Sequence, residues 1–425
     1  MITESSTPLS NNNSGLARTE IYLLTGAFIL LIINIFLQSG PPVYDEILFL
    51  PNVHLFEKYG LSEYFLLHYT KQAPGPLYQV IHHLFKPITH EQYPAMRFVN
   101  LFLLAGIIFM MIKAIRQYNK NSSVYLLPLL LLALPMTYKI TGLALTEIPS
   151  MFFIAVFIWL EVRIQKDEKL WRFLILSFIS GIMLGIAIMG RAPFLLCVAA
   201  VPFLAGWKKL FSVKNIFHSI LVTVGAAIIC LPVFFLWKGI IPPDTQYAQE
   251  GFSITNGTLG IAYLGFIFVF VAPGIFFYEK KIFLILGLLF ILLAFTVSPL
   301  EINYTPMSNI VEKILPHRLF SFYGSVVKSA FYCIALYFLL CLGRLTMKKI
   351  NEPDFIFALI GMLVIVLTCF KVNHLFNSRY VIQCAPFIAL MLPHIYRRYK
   401  FNIALYLVGI VIGLVSMNLY FVTHT

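Results

Sequence analysis

Charge is what this chain has least of. Only 12% of its 425 residues are Asp, Glu, Lys or Arg, while 60% are hydrophobic and the mean hydropathy is +0.85. Ordinary soluble domains carry about 25% charged residues, so too little polar surface exists here to cover a water-soluble globule. Cysteine is scarce as well. The six residues, Cys197, Cys230, Cys333, Cys341, Cys369 and Cys384, all fall inside apolar stretches. No spacing among them suggests a metal knuckle or a disulfide framework, and they read as small core residues. No low-complexity run follows the N-terminus, which excludes a disordered or collagenous chain. No internal repeat is visible, which weighs against an inverted-repeat transporter.

What is present is a succession of long apolar runs. Lipid offers backbone groups no hydrogen-bond partner, so a spanning helix needs about 20 apolar residues and satisfies its own backbone. Thirteen segments are expected to span, at about 21–38, 94–115, 123–143, 148–163, 171–190, 192–206, 215–237, 258–278, 282–298, 323–343, 354–371, 380–395 and 401–422. The fold class is therefore an all-α polytopic membrane protein. Residues 1–20 are polar and expected to be disordered, and the first apolar run, lacking a small-x-small cleavage site, reads as an uncleaved signal anchor. Placing the N-terminus in the cytoplasm gathers Lys113, Arg116, Arg163, Arg172, Lys280, Lys281, Arg344, Lys348, Arg397 and Arg398 into short turns on that side. The bias sets an N-in topology. It also accounts for the formal net charge of +13 without invoking nucleic acid. The compact loops favour a bacterial plasma membrane.

Polar residues concentrate in a few places at the outer ends of these runs. The first outer loop, 39–93, is the longest, and long ordered loops usually carry function. It opens with Pro41-Pro42-Val43-Tyr44-Asp45-Glu46, placing two carboxylates at the bilayer edge. Beside a functional reading stands an acidic pair favoured by the dipole of the following helix. Residues 74–86 spell an amphipathic interfacial helix, with Leu77, Val80, Ile81, Leu84 and Phe85 on one face and Gln79, His82, His83 and Lys86 on the other. Glu147, Arg191 and Arg379 lie at further outer ends. Charges at the hydrocarbon margin are costly unless paired or used. Such acids and arginines suit a cavity for a lipid-linked sugar phosphate: cations hold the phosphate leaving group, and a carboxylate, Asp45, removes the proton of the attacking hydroxyl. Displacement through an oxocarbenium-like transition state would invert the anomeric centre.

The motifs Tyr44-Asp45-Glu46-Ile47, Pro74-Gly75-Pro76-Leu77-Tyr78, Arg97-Phe98-Val99-Asn100 and His374…Asn377…Arg379-Tyr380 resemble the GT-C superfamily of polytopic glycosyltransferases. The local likeness is to the dolichyl-phosphate-glucose-dependent α-1,2-glucosyltransferase family, with a second similarity to bacterial aminoarabinose and mannosyl transferases. An extra Pro76 and the Ala-Pro after Arg191 depart from the first of these. The resemblance implies a GT-C-like bundle with interfacial helices in the first loop, an N-terminal module at 21–237 containing catalytic loop 39–93, and a C-terminal half at 238–425. It implies Asp45 as base and Glu46 as an orienting group or a ligand to a divalent cation. It further implies Arg191 and Arg379, with Lys71, His82 and His83, as holders of the donor phosphate, and Glu147, Tyr78 and His374 as acceptor-positioning or structural residues. The partners implied are a polyprenyl-phosphate-linked sugar donor, a glycan, lipid or protein acceptor, and membrane lipids. The alternatives are a transporter or flippase of lipid-linked saccharides, for which Lys139 is the clearest intramembrane charge, an O-antigen ligase, and a non-enzymatic scaffold.

Overall fold

The computed structural model describes residues 18–38, 40–70, 72, 74–119, 122–166, 169–245, 251–296, 314, 316–372, 376–396 and 402–424. All regular structure among them is helical. Helix α1 (Arg18–Leu37) leads into a first loop that holds α2 (Glu46–Tyr59), α3 (Glu63–His68), α4 (Leu77–Leu84) and α5 (Lys86–Thr89). Then follow α6 (Ala95–Arg116), the single turn α7 (Ser122–Tyr125), a 3-10 stretch (Leu127–Ala133), α8 (Pro135–Gly142), α9 (Glu147–Ile164) and α10 (Leu170–Gly190). A second 3-10 stretch (Ala192–Ala205) precedes α11 (Val213–Trp237), α12 (Ile254–Val271) and α13 (Lys280–Thr296). The last elements are α14 (His317–Lys349), α15 (Pro353–Leu367), the single turn α16 (Arg379–Ile382), α17 (Ala385–Ile395) and α18 (Ile403–His424).

Eight of the described helices are long and apolar enough to cross a membrane, fewer than the thirteen expected. The shortfall has identifiable causes. The run expected at 123–143 is interrupted by Pro128 and Pro135, each starting a new short helix. The segment expected at 148–163 survives as α9, but α8 meets it at 114°, so the two form one broken or re-entrant unit. The 192–206 run is a 14-residue 3-10 stretch, and the 380–395 run divides into the turn α16 and the 11-residue α17. Helix α13 has 17 residues, the lower margin for a hydrocarbon core of about 30 Å. Helix α1 already begins at Arg18, inside the segment 1–20 expected to be unstructured; residues 1–17 lie outside the described residues.

Apolar side chains left outside confirm what surrounds the bundle. On α11, Ile220, Val224, Ile228, Leu231 and Phe235 recur at helical spacing and are all exposed. A stripe of this kind cannot face water and belongs against lipid. Inward, α10 and α11 approach closely through small residues: a Cβ on Gly181 would lie 2.2 Å from the Val222 carbonyl oxygen, and one on Gly225 2.5 Å from that of Phe178. Beside this seam, Glu161 of α9 accepts from Ser180 Oγ (2.6 Å) and pairs with His218 Nε2 (2.8 Å), whose Nδ1 meets Ser177 Oγ (2.8 Å). Buried charge in lipid is tolerated when it is satisfied in this way. One continuous core runs from Leu24 to Phe421, through both halves of the sequence.

Helix α4 departs in part from the expected amphipathic orientation. Gln79 and His82 are fully buried, while Leu84 and the following Ile88 are largely exposed. The period of the pattern is helical as expected and Leu77 and Ile81 of the apolar face are buried, yet Gln79 and His82 of the polar face are buried as well, so the helix is enclosed on more than its apolar side. Polar partners already inside explain this in part: Gln79 Nε2 donates to Gln72 Oε1 at 2.7 Å, and Asn52 Nδ2 donates to the same oxygen at 3.2 Å.

Candidate active site

The end of the bundle where α1 and α18 finish and α6 and α9 begin is organised by Arg97. Its guanidinium is fully buried and grips Glu46 at two points, Nε to Oε1 at 2.9 Å and Nη2 to Oε2 at 2.8 Å. It also donates to the Gln38 carbonyl and lies 4.6 Å from the Phe421 ring and 4.9 Å from that of Tyr93. A planar fork suits such multiple contacts. Arg97 thereby ties the end of α1, the start of α2, the start of α6 and the last helix together. Burial lifts the Glu46 pKa above the ordinary carboxylate value, with Arg97 pulling in the opposite sense.

Glu46 is thus committed to the interior and does not face the same space as Asp45. Tyr44 takes a left-handed conformation (φ 55°), unusual for a bulky residue. Glu46 Oε2 then accepts the Val43 backbone N–H at 2.9 Å. Asp45 projects instead to Arg379, with which it forms an ion pair across 334 residues of sequence. The two adjacent carboxylates therefore do not converge on a single cation. Among the described residues no group of three or more His, Cys, Asp or Glu is placed to hold a metal.

From Asp45 the charges alternate. Arg379 Nε lies 3.6 Å from Glu147 Oε1, and the same oxygen receives Arg191 Nη2. Glu147 heads α9 directly after the sharp bend from α8, Arg191 follows α10, and Arg379 opens α16. These four residues, all singled out from sequence, come together at one place. Lys139 of α8 adds a fifth charge: its ammonium contacts the Tyr420 hydroxyl and lies 3.8 Å from the Tyr420 ring centre and 5.6 Å from that of Tyr44. Tyr44 and Tyr420 meet edge to face at 5.2 Å. Burial raises the Tyr44 pKa, so the phenol stays neutral and a donor. At Arg379, burial opposes the charged form, but Asp45 outweighs it and the pKa is raised.

Hydrogen-bonding capacity is left over. Arg191 Nε, Arg379 Nε and Glu147 Oε2 are buried without a hydrogen-bond partner. Arg191 and Arg379 face two carboxylates with the buried amine of Lys139 beside them, and the unused arginine N–H groups are donors to spare for an anion.

The remaining sequence candidates fall elsewhere. His82 is fully buried and both its ring nitrogens lack partners; burial drives its pKa down to about 3. It sits 4.1 Å from the Tyr78 ring. His83 is partly exposed, with Nδ1 3.7 Å from Glu91. Lys71 and His374 lie outside the described residues. Arg97 stands in the motif Arg97-Phe98-Val99-Asn100 with no role implied for it, Tyr420 stands in no motif, and Lys139 is conspicuous only as an intramembrane charge. Arg97 and Lys139 carry the signal of a cation within an apolar run.

The fold and this site define a polytopic all-helical membrane protein with a mixed-charge cluster at one end of its bundle. No protein-family model matches the chain, and no curated protein matches its sequence. Among solved structures, the crystal structure of ArnT from Cupriavidus metallidurans bound to undecaprenyl phosphate is similar, with a TM-score of 0.41 and 14% identity, over 96% of this chain and 76% of that one. Similarity at that level transfers neither site residues nor chemistry.

Proposed function

We propose that the chain is a membrane glycosyltransferase of GT-C type that moves a sugar from a polyprenyl-phosphate donor to an acceptor hydroxyl. The observation that carries this reading is the assembly of Asp45, Arg379, Glu147, Arg191 and Lys139 at one end of the bundle, with unused arginine N–H groups. In this reading the donor phosphate takes Arg379 and Arg191 as its cradle and competes with Asp45 for Arg379. Asp45, released, accepts the proton of the acceptor hydroxyl as the acceptor oxygen bonds to the anomeric carbon. The carbon–oxygen bond to phosphate breaks, and the anionic polyprenyl phosphate leaves against the arginines. Attack opposite the leaving group inverts the centre. Lys139 and Tyr44 complete the phosphate side, and Glu147 holds the two arginines apart. The motif likeness to polyprenyl-phosphate-sugar enzymes supports the choice of donor. The reading places the site on the extracytoplasmic face of a bacterial inner membrane, with the N-terminus in the cytoplasm, as the distribution of Lys and Arg favours.

The bend between α8 and α9 beside the site favours a second reading, a transporter of lipid-linked saccharide, because transporter sites are often built on broken helices. One assay separates the two. Membranes containing the protein are given labelled polyprenyl-phosphate sugars with candidate acceptors. A transferase frees the label from its carrier, whereas a transporter moves label and carrier together. Asp45→Asn keeps size and removes the charge, so transfer is expected to drop at least about 100-fold, the usual worth of a positioned base. Undiminished transfer by a correctly inserted variant refutes Asp45 as base.

A further inference from the structure

A cavity of about 450 Å3 lies at the far end of the bundle, away from Asp45. Its wall includes Phe277, Arg344, Lys348, Lys349, Glu352 and His394. The opposite location follows from α6: Arg97 near its start serves the Asp45 end, whereas Tyr118 just past its finish stacks on His394 at 5.7 Å. Three cations and an imidazole here surround one carboxylate, and that carboxylate is already engaged. Glu352 accepts from Lys349 Nζ at 2.7 Å and contacts His394 Nδ1. The His394 contact first, then Lys349, pulls its carboxyl down to about 2, so Glu352 is an acceptor at any physiological pH. His394 Nε2 is buried with no hydrogen-bond partner, on a side chain only 10% exposed.

Arg344 rests over the Phe277 ring at 4.5 Å, an aromatic floor that orients the fork of its guanidinium. Among the described residues no carboxylate lies within salt-bridge distance of Arg344 or Lys348. The result is a concave site with an oriented arginine, a lysine and a buried imidazole edge; Asp354 acts on His394 but is not part of the wall, and no carboxylate among the described residues neutralises Arg344 or Lys348. We propose that this cavity binds a phosphate group, carried either by the headgroup of an anionic phospholipid or by a water-soluble phosphate compound. Arg344 supplies a two-point contact, Lys348 a point charge, and the unpartnered His394 Nε2 a further polar contact for the headgroup or phosphate hydroxyl. Basic pockets at the ends of transmembrane helices are suited to lipid headgroups, and the volume exceeds what bare phosphate fills.

The test uses the full chain purified in neutral detergent. Thermal unfolding is followed while phosphatidylglycerol, phosphatidylcholine or inorganic phosphate is titrated in. A ligand bound only by the folded state raises the melting temperature in proportion to its occupancy. Phosphatidylglycerol or inorganic phosphate is expected to raise it by several degrees in a saturable manner, and phosphatidylcholine is not. Protection by the lipid alone identifies a headgroup, and protection by inorganic phosphate alone a soluble ligand. In Arg344→Gln/Lys348→Gln, which alters two exposed side chains, the half-saturating concentration should rise at least tenfold. The control Lys280→Gln/Lys281→Gln removes two exposed charges outside the cavity and should respond as wild type. If the first double variant fails to fold, His394→Gln tests the buried ring edge and should weaken protection in the same direction. Absence of protection in the wild type, or equal loss in the control, overturns the proposal.

Discussion

Asp45 and Glu46 are adjacent carboxylates with opposite fates, and the left-handed turn at Tyr44 separates them. A non-glycine residue in that region costs on the order of 1–3 kcal/mol and persists only when its surroundings over-determine it. Here Arg97, bound to Glu46 and seated on Phe421, supplies the constraint. The consequence is an acid aimed at the charge cluster from a rigid base. His82 shows the reverse, a titratable group read from sequence as facing phosphate that is instead sealed inside. Its folded pKa is about 3, against 6.5 for an ordinary imidazole. Between those values the unfolded chain binds more protons than the folded one, so stability is full above about pH 6.5 and declines as pH falls toward 3, by at most about 1.4 kcal/mol per unit. The wild type should therefore lose about 2 kcal/mol more than His82→Gln between pH 7 and pH 5, as read from unfolding in detergent. Parallel pH profiles for the two proteins would show that the imidazole is not held neutral.

At the level of elements, hydropathy located the apolar runs well and their interruptions poorly. Runs such as those of α6, α10 and α18 are long and free of proline, and their lengths alone identify them. Pro128 and Pro135 lie in plain sight, but whether a proline kinks a membrane helix or ends it depends on neighbours that re-satisfy the freed backbone groups. Likewise, the period of α4 could be read, while the burial of its polar Gln79 depends on Gln72, just before the helix, and on Asn52 of α2. Small residues at an interface are a tertiary matter too. Gly181 is one of many glycines until the Val222 carbonyl is seen 2.2 Å from where a Cβ would stand. Backbone cannot yield there as a flexible side chain would, so Gly181→Ala should force α10 and α11 apart and cost about 1–3 kcal/mol. Gly26 on α1 has nothing within 4 Å of a built Cβ. Gly26→Ala should be neutral or slightly stabilising, since alanine is the better helix former by about 1 kcal/mol. Comparing the two melting temperatures checks the packing; equal effects would mean that α10 and α11 are not in contact there.

For the whole molecule, the expected division of the chain falls at residue 237, and the charge cluster crosses that line. Asp45, Lys139, Glu147 and Arg191 come from one side, and Arg379 and Tyr420 from the other. The four charged residues at the ends of apolar runs could be picked out singly because charge beside hydrocarbon is conspicuous. That they meet depends on how α15 to α18 pack into the first half, which no local pattern encodes. The continuous core implies that neither half unfolds alone. The chain supplies its own reporters for this. All four tryptophans, Trp159, Trp171, Trp207 and Trp237, lie at or before residue 237. Buried Cys341, Cys369 and Cys384 lie after it. In a variant with Cys197, Cys230 and Cys333 replaced by alanine, tryptophan fluorescence follows the first half and thiol labelling the second. Heating in detergent should give coincident transitions by the two probes, because separating α15 from the 3-10 stretch Ala192–Ala205, or α18 from α8, exposes core on both sides at once. Transitions several degrees apart would mean two units that merely touch, and would make the pairing of Asp45 with Arg379 a docking event between them.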